Sequence, residues 1–167
     1  DFTEWDRKNY FYPDIPKAYQ ISQFAHPLIT GGKLRGIELT RIHLEEDTAS
    51  SSHDKGDYSL VNFNRSGVPL MELVTEPVIR DAKTAGDFGR ELQLLLRYLG
   101  AGEANMEKGE MRVEVNISLS TDPKSHEYIE EALRENKPVA KEAFKTFGVK
   151  TEVKNINSFR SAERSIE

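Results

Sequence analysis

The chain has 167 residues, with 23 Lys and Arg against 28 Asp and Glu, for a formal net charge of −5. That length suits one folded domain, and a 37% hydrophobic content beside 31% charged residues is polar for a globular chain yet richer in apolar groups than a disordered one. The acidic balance excludes coating of nucleic acid by bulk electrostatics, and the lack of cysteine excludes disulfides, zinc–thiolate sites and thiol catalysis.

In residues 7–23 (RKNYFYPDIPKAYQISQ), Pro13 and Pro16 bar a helix, so an extended, packed loop is expected. Its aromatics Tyr10, Phe11, Tyr12 and Tyr19 read as core packing or as surfaces for stacked nucleotide bases. Residues 34–46 alternate as a strand with Ile37 and Leu39 on one face. The apolar phase then shifts to Ile42 and Leu44, which predicts a bulge at Thr40 or Arg41 that re-aims Arg41, His43 and Glu45 together. Residues 47–56 (DTASSSHDKG) read as a surface loop and 58–63 as a short strand. In residues 70–76 (LMELVTE), Glu72, Val74 and Glu76 share the face of Leu70.

Residues 81–99 change period: Phe88, Leu92, Leu95, Leu96 and Leu99 form a helical stripe, with Asp81 as N-cap and Gly100 after the end. Residues 111–119 (MRVEVNISL) are the clearest strand, with Met111, Val113, Val115, Ile117 and Leu119 on one side and Arg112, Glu114, Asn116 and Ser118 on the other. Residues 125–136 and 137–147 read as short helices, the second with Pro138 in its first turn, and residues 151–159 resume extended structure. Strands around one long helix, without a βαβ rhythm, predict an α+β fold on an antiparallel sheet with flanking helices. Neither a GxxxxGK[ST] loop nor a GxGxxG turn is present. With no apolar run of transmembrane length and no signal pattern, the chain reads as cytoplasmic, with no membrane partner.

Three constellations carry possible chemistry. Residues 41–47 (RIHLEED), with Glu72 and Glu76, are either a solvated acidic strand end or a carboxylate set for Mg²⁺, an ion that favours oxygen ligands. The polar face Arg112, Glu114, Asn116 and Ser118 is either the wet side of a half-buried sheet or a binding surface. Residues 154–160 (KNINSFR) either hold phosphate or carboxylate groups or supply a helix cap at Asn157 or Ser158.

Six runs taken together resemble one family: residues 6–23, 40–47, 59–77, 95–100, 111–119 and 152–160 are similar, in order, to the GatB/GatE family, the B subunits of the aspartyl/glutamyl-tRNA amidotransferases. The resemblance implies a partial catalytic domain of glutamine synthetase/guanidino kinase-like fold, a cradle of antiparallel sheet. It implies that Glu-tRNA(Gln) or Asp-tRNA(Asn) is phosphorylated by ATP on its side-chain carboxylate and then amidated. Ammonia comes from a glutaminase A subunit, and a small C subunit completes a heterotrimer. Mg²⁺ and ATP are the implied cofactors. By position in the matching runs, Glu46 and Glu72 are expected to meet at the metal, Glu45, Glu76, His43 and Glu114 to support catalysis, and Arg41, Arg112, Lys154 and Asn155 to contact phosphate or carboxylate.

The family's amino-terminal strand and carboxy-terminal helical and tail regions have no counterpart in the runs, so the chain is expected to be inactive by itself. Residues 121–150 exceed the short hairpin expected between their flanking strands and read as a helical insertion. Two other functions draw on the same residues: a glutamine-synthetase-like ligase for a free small molecule, and a non-catalytic RNA-binding or scaffold domain.

Overall fold

Pro13 and Pro16 keep residues 10–18 out of any helix, and the short runs on either side pair with each other: β1 (Asp6–Asn9) lies antiparallel to β2 (Tyr19–Ser22), with Asp6 opposite Ser22 and Asn9 opposite Tyr19. The expected packed loop is therefore a hairpin. The computed structural model describes residues 2–54, 56–137, 139 and 141–167. It divides into two units, Asp1–Lys33 with Glu38–Thr75, and Leu34–Ile37 with Glu76–Glu167.

The organising strand of the first unit is β5 (Ile37–Glu46), reached from β3 (Ile29–Thr30) and β4 (Lys33–Leu34), both of which it pairs with. Arg35 and Gly36 turn the chain into β5 at φ 52° and 83°, the two left-handed residues of a type I′ hairpin, where glycine carries no steric cost. β8 (Pro69–Thr75) pairs antiparallel with β5. Leu39 faces Thr75 and Arg41 faces the next residue, Val74, so Thr40 is the extra residue of a bulge, as the phase shift predicts. The polar loop expected at 47–56 instead holds β6 (Ser50–Ser52), which pairs with β7 (Leu60–Asn62).

In the second unit, α1 (Ala82–Tyr98) starts at Asp81, whose carboxylate accepts from Thr84 N at 2.8 Å. The expected apolar stripe is used only in part: Phe88 is buried, while Leu95 is 37% and Leu99 65% exposed. β9 (Val113–Ile117) pairs antiparallel with β10 (Thr151–Ile156), and α3 (Phe159–Arg164) packs on them through a core of Val115, Ile156 and Ala162. Val113 and Ile117 join that core as the alternation predicts, with Val153 of β10 beside them, but Leu119 lies past the strand and is 80% exposed.

Two glycines of α1 permit the close approach of α3. A Cβ on Gly89 would lie 2.7 Å from Phe159 Cε1, and one on Gly86 would collide with the Glu163 carboxylate. Arg90 adds a bond to Glu163 Oε1 at 2.6 Å.

α2 (Ser125–Arg134) buries Ile129 completely, a gain of roughly 2 kcal/mol. The buried Ser125 hydroxyl lies 2.6 Å from Ser120 Oγ and 2.5 Å from Thr146 Oγ1. The second short helix is a 3₁₀ helix, Lys141–Thr146; Pro138, expected in its first turn, lies outside the described residues. No helix among the described residues is long and apolar enough to cross a membrane.

Candidate metal-binding site

Alternation along β5 and β8 decides which carboxylates meet. After the bulge, Arg41, His43 and Glu45 point to one face and Ile42, Leu44 and Glu46 to the other. In the antiparallel register His43 lies opposite Glu72, with Arg41 opposite Val74 and Glu45 opposite Leu70, so Glu72 joins the first face. One ligand atom each from His43, Glu45 and Glu72 falls within 4.8 Å of the others. His43 Nε2 is 3.4 Å from Glu45 Oε2 and 3.6 Å from Glu72 Oε2. His43 and Glu45 are buried, whereas the Glu72 side chain is 46% exposed and opens the cluster to solvent.

The expected meeting of Glu46 with Glu72 is corrected by this parity: one strand step separates Glu46 from Glu45, and that step crosses the sheet. Glu46 is occupied on its own side. Its carboxylate pairs with Lys17, and Oε1 accepts from Ile21 N at 2.9 Å. Burial raises the Glu46 pKa, but the Lys17 hydrogen bond, the Ile21 amide and the Lys17 charge together outweigh burial and hold the carboxyl below its ordinary value.

Further bonds orient the cluster. Arg41 Nε donates to His43 Nδ1 at 3.2 Å, so the imidazole accepts there and carries its proton on Nε2, facing the two carboxylates. Ser22 Oγ, from β2, donates to Glu45 Oε2 at 3.2 Å. The adjacent Asp47 ties down the loop before β8: Arg65 Nε donates to its Oδ2 at 3.0 Å, and Gly67 N to its carbonyl at 2.9 Å. Sequence reasoning did not single out Ser22 or Lys17. Ser22 carried no sequence signal: Gln20 and Ser22 alternate as a wet strand face would, and only the fold buries them.

The remaining expected site residues fall in the second unit. Glu76 lies beyond the end of β8, so it does not extend the Glu72 face of that strand. Glu114 is exposed on β9, and Arg112 is exposed just before that strand begins. Lys154 Nζ is 3.5 Å from Glu152 and 3.9 Å from Glu114, an exposed cation shared by two carboxylates. Asn155 adopts φ 58° where the β9–β10 register shifts between Val153 and Ile156, a conformation asparagine tolerates better than most residues. The helix cap in this segment is Ser158, whose Oγ accepts from Ser161 N at 3.1 Å.

The donor set suits a small divalent cation. Mg²⁺ binds oxygens at about 2.0–2.1 Å in octahedral geometry, which places neighbouring ligands about 3 Å apart. One oxygen each of Glu45 and Glu72 lies within 4.8 Å of the other, a span those side chains would narrow in closing on an ion. Arg41 selects the tautomer whose Nε2–H points at the Glu45 and Glu72 oxygens, so those two carboxylates are the groups that would hold a cation here.

The chain matches the model of the GatB/GatE catalytic domain over residues 1–167. Proteins described as the B subunit of aspartyl/glutamyl-tRNA(Asn/Gln) amidotransferase are similar to it. The one from Thermodesulfovibrio yellowstonii is 45% identical over 174 aligned residues, covering 99% of this chain and 32% of the relative. That of Persephonella marina is 46% identical over 175, covering 100% and 32%, and that of Listeria welshimeri 43% identical over 175, covering 100% and 33%. The chain thus spans about a third of the length of these relatives. Motif order, whole-length match and identity agree, and the chain belongs to the GatB/GatE catalytic-domain family.

Proposed function

We propose that this chain is the activating part of the B subunit of a tRNA-dependent amidotransferase, acting on glutamate or aspartate esterified to tRNA(Gln) or tRNA(Asn). The observation that carries this reading is the cluster His43, Glu45 and Glu72 on one sheet face, buried at one side and open at Glu72. A carboxylate is a poor electrophile, so an oxygen of the substrate side chain first attacks the γ-phosphorus of ATP, and the bond to ADP breaks. Ammonia then attacks the activated carbonyl carbon, the carbon–phosphate oxygen bond breaks, and phosphate leaves as the nitrogen gives up a proton. Bound Mg²⁺ supplies neutralisation of the phosphate charge.

The chain's own residues prepare that site. Glu45 and Glu72 present oxygens to the cation, the Nε2–H of His43 holds those oxygens in place, and Arg41 fixes the imidazole through Nδ1. Ser22 leaves Glu45 one oriented oxygen. Glu46 belongs to the structural pair with Lys17 rather than to the metal. Arg112 and Lys154 are exposed cations suited to phosphate or carboxylate groups. The cradle of glutamine synthetase type, a glutaminase partner delivering ammonia, a small third subunit and a cytoplasmic setting complete the reading. The B-subunit designation of the relatives supports a multi-subunit enzyme, and the other parts are what the family resemblance implies.

The test is formation of Gln-tRNA from Glu-tRNA(Gln) by the intact protein in its complex. Glu72→Gln is expected to lower the rate on the order of a thousandfold, since several kcal/mol of transition-state stabilisation depend on the cation. A rate equal to wild type would reject the reading and favour a non-catalytic role. ATP turnover that ignores aminoacyl-tRNA would point instead to a ligase for free small molecules.

A further inference from the structure

The loop between β1 and β2 displays two adjacent large rings, Phe11 at 77% and Tyr12 at 64% exposure. The backbone under them is fixed. Tyr10 N donates to Ala18 O at 3.0 Å, Ala18 N to Ile15 O at 2.9 Å, and Ala49 N to Asp14 O at 3.0 Å. Ile15, 3% exposed, anchors the loop in the core. The Tyr10 ring rests against Tyr12, with centroids 5.1 Å apart. Adjacent exposed aromatics on an ordered backbone mark a contact surface.

Charge on the same hairpin narrows the occupant. Arg7 lies 5.0 Å and Lys17 5.4 Å from the centre of the Tyr19 ring. The hairpin's carboxylates are engaged internally, Asp6 by Phe24 N at 2.8 Å and Asp14 by the Tyr10 hydroxyl at 3.4 Å. Lys17 is paired with Glu46, so Arg7 supplies the charge. Exposed rings on the same hairpin as that cation complement unpaired nucleotides, whose bases stack on any aromatic face while their phosphates meet the positive charge. An apolar protein partner would gain nothing from the cation.

We propose that Phe11 and Tyr12 form a stacking platform for unpaired nucleotides of an RNA, with Arg7 meeting its phosphates. The proposal rests on the reading above that the substrate is an aminoacyl-tRNA, and it assigns this hairpin to single-stranded rather than duplex RNA.

Fluorescence anisotropy of a labelled short single-stranded RNA, titrated with the intact protein, tests it. Phe11→Ala with Tyr12→Ala is expected to weaken binding on the order of tenfold per ring, while Phe11→Tyr with Tyr12→Phe retains it. Arg7→Gln should flatten the dependence of log affinity on log salt by about 0.7. Unfolding midpoints followed by circular dichroism verify that all variants fold. Unchanged affinity in the double alanine variant, equal losses for single-stranded and duplex RNA, or no binding by wild type would each overturn the platform. Amide formation that still requires Glu72, alongside unchanged RNA affinity in the double alanine variant, would overturn the platform alone and leave the amidotransferase reading standing.

Discussion

Glu45 and Glu46 are chain neighbours with opposite surroundings. Glu45 shares a buried face with His43, while Glu46 pairs with Lys17. Because the folded-state pKa of Glu46 is depressed, its contribution to stability is present above the ordinary value near 4.5 and is lost as pH falls through the lower folded value. Unfolding by urea, followed across that acid range, should therefore show a weaker loss of stability in Glu46→Gln than in wild type. Identical pH profiles would show that the Lys17 pairing contributes nothing. Sequence made this carboxylate conspicuous but not its partner: the acidic run marked it, whereas Lys17 reaches it only after β2 folds back beside β5.

Asn155 makes a second residue-scale case. The sequence offered it as a phosphate contact, and the structure gives it a backbone role at φ 58° in a strand irregularity. Asn155→Gly should be close to neutral in stability, while Asn155→Val should cost about 1–2 kcal/mol in urea denaturation, because a β-branched residue resists the left-handed region. Equal stability of the two variants would remove that role.

At the scale of elements, long periodic segments were the most legible. Asp81 and Gly100 bracket α1, with Gly100 at φ 66° just after the helix. The shift of apolar phase located the bulge in β5 at Thr40. The hairpins of β1 with β2 and β6 with β7 escaped because strands of three or four residues are too short for alternation to rise above their aromatic or serine-rich composition. The two glycines inside α1 also carried information that periodicity could not use, since their reason is α3. Gly→Ala in an exposed helix gains about 1 kcal/mol, yet Gly89→Ala should lower the melting temperature, because its Cβ would meet Phe159. Pairing it with Phe159→Leu should recover part of the loss, and a Gly89→Ala protein more stable than wild type would show that α1 and α3 are not packed through this notch.

For the whole molecule, family and α+β class were readable from long ordered runs, whereas the composition of the site was not. The sequence indicated the bulge that groups Arg41, His43 and Glu45, and it placed Glu72 on the Leu70 face. Only the register of β5 against β8 shows that those two faces coincide and that Glu46 lies across the sheet from them. Strand pairing between residues distant in sequence is a tertiary choice, which local pattern leaves open.

The most direct test of the account is calorimetric titration of Mn²⁺ into the intact protein and into Glu72→Gln, Glu45→Gln and Glu46→Gln. Loss of either Glu72 or Glu45 should weaken binding by about tenfold or more, while Glu46→Gln should bind as wild type does. Retained affinity in Glu72→Gln together with loss in Glu46→Gln would contradict the account and place the cation on the other face of the sheet.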